Sequence, residues 1–150
     1  MSINEIRLII DSGFLVLIWA VQLVIYPSFG YYSQSNLFKW HQSYTKRVTI
    51  IVLPLMFSQL ILGIIHLWQT QNWYTVLSMF IIILLWLVTF LIFVPLHQSI
   101  DNKPLENVCK KLVKYNWTRT LLWTLLFGIT LYYFLSILKN NVHICAIMVA

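Results

Sequence analysis

From Tyr74 to Leu96 the chain runs for 23 residues without a charged side chain. Within that run the segment Met79 to Leu87 is apolar on every face, so neither a surface helix nor an alternating strand describes it. At 1.5 Å of rise per residue such a stretch crosses a hydrocarbon core of about 30 Å. Three other stretches share this character, and helical spans are expected at roughly 8–29, 48–69, 74–96 and 118–138. A β-barrel would need strands of about ten residues with alternating polarity, and none is present. The expected class is therefore an all-α integral membrane protein, one domain over 1–150, built as a four-transmembrane-helix bundle of up-down-up-down order.

Composition agrees. Of the 150 residues, 60% are hydrophobic and 9% charged, and the mean hydropathy of +0.80 excludes an ordinary water-soluble domain. The first apolar stretch is too long for a signal peptide and lacks a small-x-small pattern after it, so it is read as retained.

The net charge of +6 does not point to nucleic acid, because the cations are scattered between spans and form no stripe. They report orientation instead. Lys39, Lys46 and Arg47 fall between the first two spans; Lys103, Lys110, Lys111, Lys114 and Arg119 fall between the last two. The other side has only Arg7 and Lys139. The positive-inside rule then makes loops 30–47 and 98–117 cytoplasmic, with both termini outside and the protein in the cell inner membrane. Cys109 and Cys145 lie on opposite sides in this topology, which excludes a disulfide between them.

Loop 30–47 carries Tyr31, Tyr32, Trp40 and Tyr44, which suits the headgroup region. Loop 98–117 has Pro104 followed by Leu105, Val108, Leu112 and Tyr115 at helical spacing, and reads as a short amphipathic helix on the inner leaflet. The halves are faintly similar: Trp19 and Trp86 precede Pro27 and Pro95, then come a basic stretch and Arg47 or Arg119.

Polar residues inside spans are costly, so their placement is informative. Asp11, Leu15, Ile18, Gln22 and Tyr26 share one face of the first helix. Gln59 and His66 align on the second, where an early helix start would add His41, Thr45 and Thr49 to the stripe, and Pro54 is expected to kink it. Trp86 and His97, eleven residues apart, nearly superpose on the third. Asn116, Arg119, Thr120, Trp123 and Thr130 share a side of the fourth.

Tyr26, His41, Tyr44, Arg47, His97, Asn116, Trp117 and Arg119 map to one membrane depth, at the cytoplasmic helix ends. This convergence yields a candidate polar pocket that caps an apolar cavity. His41 and His97 are the candidate acid/base or ligand groups, able in principle to ligate a metal or haem iron. Arg47 and Arg119 are candidate anion or oxyanion binders, and Tyr26, Tyr44, Asn116 and Trp117 are candidate ligand-binding residues. A competing account makes these Arg, Tyr and Trp interface anchors. Asp11, Gln22, Gln59 and His66 suggest a proton or cation path, which with four helices per chain would require a homodimer. His143 with Cys145 is a weaker metal candidate.

Tyr26-Pro27, Trp40-His41, Tyr44 to Arg47, Val94-Pro95-Leu96-His97 and Asn116-Trp117-Thr118-Arg119-Thr120 together resemble a widespread family of small bacterial four-helix membrane proteins. More distantly, the Val-Pro and Trp-x-Arg-Thr motifs resemble those of anthrone oxygenase-like membrane proteins. That likeness implies a site at the helix ends and a lipophilic substrate. It also implies an Asn where this chain has His97, and a His near Asn116.

Three readings follow: an enzyme or cofactor-binding protein for a lipophilic, aromatic or quinone-like molecule; a small transporter or channel component; and a structural subunit of a larger membrane complex.

Overall fold

The computed structural model describes residues 1–102 and 106–149, with side chains described for 1–100 and 107–141. Pro104, Leu105 and Lys103, and the side chains of His143 and Cys145, lie outside those residues. Of the described residues 95% are helical and none is in a strand. Four helices are long and apolar enough to cross a membrane: α1 (Ile3–Tyr31), α2 (Gln34–Gln69), α3 (Trp73–Ile100) and α4 (Asn107–Asn141).

Local sequence sets their starts. Ser2 caps α1, accepting from the Glu5 backbone N–H while Glu5 Oε2 accepts from the Ser2 N–H at 2.8 Å. Asn72 caps α3 in the same reciprocal way with Thr75, both bonds at 3.0 Å. The connections at 32–33 and 70–72 are so short that successive helices must run antiparallel. In the resulting bundle α1 packs against α2 and α4, and α3 packs against the same two. Side chains from all four fill the centre. One core layer joins Phe14, Ile18, Met56, Ile81, Leu85 and Trp123, and another joins Val21, Phe29, Leu37, Phe93, Ile100 and Leu112.

Both odd-numbered helices carry one widened turn. In α1 the turn covers Val21–Ile25, where the Tyr26 N–H donates to the Val21 carbonyl five residues back. In α3 it covers Thr89–Phe93, and the Val94 N–H donates to the Thr89 carbonyl. Each π turn lies directly before a proline, Pro27 or Pro95, whose ring lacks an N–H and would collide with the carbonyl four residues back in a regular helix. The two halves thus share a backbone device as well as a sequence pattern. Pro54 behaves differently: α2 stays α-helical through it.

Several expectations need correction. The segment 34–47 is not a loop but, from Gln34, the first part of α2, where Leu37, His41 and Tyr44 recur along one face and are buried against the bundle. The early start of α2 therefore holds, its helix beginning at Gln34. Likewise, from Asn107 onward the proposed surface helix is continuous with α4. Its inward face is Cys109, Leu112 and Asn116, whereas Tyr115 is exposed. Finally, Trp86 and His97 do not share a face. The extra residue in the π turn shifts the phase by about 100°, so Trp86 packs on Phe57 and Phe90 while His97 points inward.

Candidate functional site

Buried polar clusters occupy the bundle near each end and between α1 and α4. At the basic end, His41 on α2 is fully buried and its Nε2 lies 2.8 Å from His97 Nδ1 on α3. His97 Nε2 in turn lies 3.1 Å from the Tyr26 hydroxyl on α1. A neutral imidazole has one N–H and one lone pair, so this chain has two self-consistent polarities. Either Tyr26 donates to His97 and His97 to His41, or both bonds reverse. Switching between them moves a proton equivalent along three side chains. The two imidazoles are nearly parallel, with centroids 5.0 Å apart, and Phe29 meets His41 edge-on.

This contact bears on the haem or metal reading. Two imidazole nitrogens on opposite sides of an ion need about 4 Å between them, at about 2 Å per bond. His41 and His97 present nitrogens at hydrogen-bonding distance, so they do not fit as an axial pair. Among the described residues no group of three or more His, Cys, Asp or Glu is placed to hold a metal.

Arg119 on α4 comes to the same end, 8% exposed. Its guanidinium carbon stands 4.4 Å from the Phe93 ring centre and 5.1 Å from that of Trp123, both cation–π distances. It lies close enough to the Tyr26 hydroxyl to interact with it, and its buried Nε has no hydrogen-bond partner.

Tyr26, His97 and Arg119, with Tyr44, form the polar end of a cavity of about 320 Å³. Its remaining walls are mostly apolar: Phe14, Ile18 and Val21 from α1, Val48, Val52 and Met56 from α2, Phe93 from α3 and Trp123 from α4. The slot runs roughly 15–18 Å along the helices, judged from the residues that line it. Leu53, Phe90 and Val94 also line it and are partly exposed, so its rim lies between α2 and α3, on the outer surface of the bundle.

The remaining candidates fall elsewhere. Arg47 is exposed and does not line the cavity. Trp117 is also exposed, edge-on to Trp19. Asn116 is buried outside the cavity: its Nδ2 donates to Gln22 Oε1 at 2.9 Å, Thr120 donates to the same oxygen, and Gln22 Nε2 donates to the Val113 carbonyl. This knot pins α1 to α4.

The cluster near the other end centres on Asp11. Gln59 Nε2 donates to one carboxylate oxygen at 2.6 Å and Thr130 to the other at 2.7 Å. Tyr74 donates to Thr130 and Trp123 to Gln59, so each of the two donors on the carboxylate accepts in turn from a further side chain. Arg7, expected as a surface charge, is instead 2% exposed. It donates to His66 Nδ1 at 3.1 Å and sits 4.7 Å above the Tyr74 ring, close enough to attract Asp11. Because Arg only donates, Nδ1 accepts, and His66 carries its proton on Nε2. A signal for Arg7 existed in the sequence: it stands four residues before Asp11, on the same helix face.

No protein-family model matches the chain, and no match is found among curated proteins or among solved structures.

Proposed function

We propose that this chain is a multi-pass inner-membrane protein that binds, and acts on, a lipophilic molecule taken from the bilayer into the cavity between α2 and α3. One observation carries the reading: a mostly apolar cavity of about 320 Å³ ends on the Tyr26–His97–His41 hydrogen-bond chain. Apolar walls with a few convergent polar groups are the usual form of a small-molecule site. His97, which both lines the cavity and touches His41, is the acid/base group, and His41 and Tyr26 are its proton partners.

The distribution of Lys and Arg favours the basic end as cytoplasmic and both termini as outside. The exposed apolar surface of all four helices favours the bilayer as the partner that covers them. The likeness to anthrone oxygenase-like membrane proteins points the same way, toward a lipophilic substrate at helix ends. The transport path through Asp11, Gln22, Gln59 and His66 draws no support from these contacts. Those four side chains belong to two separate networks, and none of them lines the cavity.

Purification in mild detergent, a visible spectrum and mass spectrometry of the extract test the proposal. Wild type is expected to retain a hydrophobic compound that His97→Ala and Val52→Trp lose. Ligand-free protein from all three would end it.

A further inference from the structure

The two buried arginines are treated differently by the fold. Arg7 has the Asp11 carboxylate nearby and His66 as an acceptor. Arg119 has neither. Among the described residues, Glu5 is tied to Ser2 in the first turn of α1, and both oxygens of Asp11 are occupied by Gln59 and Thr130. Around the Arg119 guanidinium are instead two aromatic faces and the neutral Tyr26 hydroxyl, with Nε buried and unpartnered.

A guanidinium stays charged under all ordinary conditions. Cation–π contacts with two rings offset only part of the cost of removing that charge from water. This cation, with no carboxylate partner among the described residues, borders the cavity at the end where the wall changes from apolar to polar. An occupant with a negative oxygen there would supply the missing counter-charge and an acceptor for a guanidinium donor.

We propose that the cavity takes a single-chain or single-ring amphiphile with one oxyanion as its head, paired with Arg119, and an apolar body along Ile18, Met56 and Trp123. A volume of about 320 Å³ is at the small end of the range for ligand pockets, too small for the two acyl chains of a phospholipid. This inference rests on the cavity being a lipophile site, and it adds the charge of the head.

The test uses the full chain in zwitterionic lipid nanodiscs at about pH 9, well above the carboxylate range. Decanoate, decanol and decyltrimethylammonium are titrated separately by calorimetry. Decanoate is expected to bind at least about tenfold more tightly than decanol, and the ammonium compound not to bind. Arg119→Gln is expected to bring decanoate down to the level of decanol, while Arg119→Lys keeps part of the preference. Val52→Trp, which fills the slot, is expected to abolish both. Equal binding of decanoate and decanol by wild type, unchanged in Arg119→Gln, would overturn the charge assignment and leave the lipophile site standing. Absence of binding by any of the three would overturn both.

Discussion

His41 and His97, from facing helices, meet through Nε2 and Nδ1 at 2.8 Å, and only one of them borders the cavity. The inner imidazole therefore meets the cavity only through the outer one. That order of contact separates the two residues experimentally, although both have the same chemistry.

Loss of either imidazole is expected to destabilise the protein, because its partner is left with a buried unsatisfied nitrogen. His41→Ala and His97→Ala should each cost about 1–3 kcal/mol, with a coupling of about 1 kcal/mol in the double-mutant cycle. Unfolding followed by tryptophan fluorescence in detergent measures this. Additive effects would mean that the contact carries no energy.

Asp11 has a structural assignment that can be isolated from the cavity. Asp11→Ala strands Gln59, Thr130 and the charge of Arg7, and is expected to cost about 2–4 kcal/mol. Asp11→Asn should cost less. Neither should alter the compound that co-purifies, as seen by mass spectrometry, and proton flux in liposomes should match wild type for Asp11→Asn.

Arg47 and Arg119 offer a direct contrast between an exposed and a buried cation. Arg47→Gln is expected to leave stability within about 0.5 kcal/mol and ligand retention unchanged. Equal loss of retained ligand in Arg47→Gln and Arg119→Gln would contradict the burial that separates them.

Gly63 on α2 faces α3: a Cβ there would stand 3.1 Å from Ile82 Cδ1 and 3.4 Å from Met79 Sδ. Gly63→Leu is expected to lower stability by about 1–3 kcal/mol through overpacking. Gly128 faces outward with nothing within 4 Å of such an atom, so Gly128→Leu should be near neutral. Thermal unfolding of the two variants compares them.

The π turn at Thr89–Phe93 behaves as one inserted residue. Deleting the exposed Leu91 together with Pro95→Ala should therefore restore a regular helix and keep both Leu85 and His97 facing inward. Deleting Ile83 from the regular part of α3 should turn every following side chain by about 100° and prevent folding. Size-exclusion profiles of the two deletions read the difference.

How much of this was legible in the chain follows from what each property depends on. Four apolar helices could be read directly, because length and hydropathy decide whether a segment matches a bilayer, whatever its neighbours do. The inward stripes Asp11, Ile18, Gln22 and Tyr26 and Asn116, Arg119, Thr120 and Trp123 were also readable, since helical periodicity is local. The same periodicity misplaced Trp86 relative to His97, because it assumes a constant 3.6 residues per turn and the proline-linked π turn breaks that constant.

Only the tertiary structure decided which stripes meet. Sequence put Gln22 with Asp11, yet packing gave Gln22 to Asn116 and Asp11 to Gln59 and Thr130. It put Arg7 at the surface and Arg47 at the site, and packing reversed both. Charge alone says that a cation is costly in an apolar interior. Which cation is buried, and what stands beside it, depends on the distances between helices, and these are fixed only when four greasy faces settle against one another.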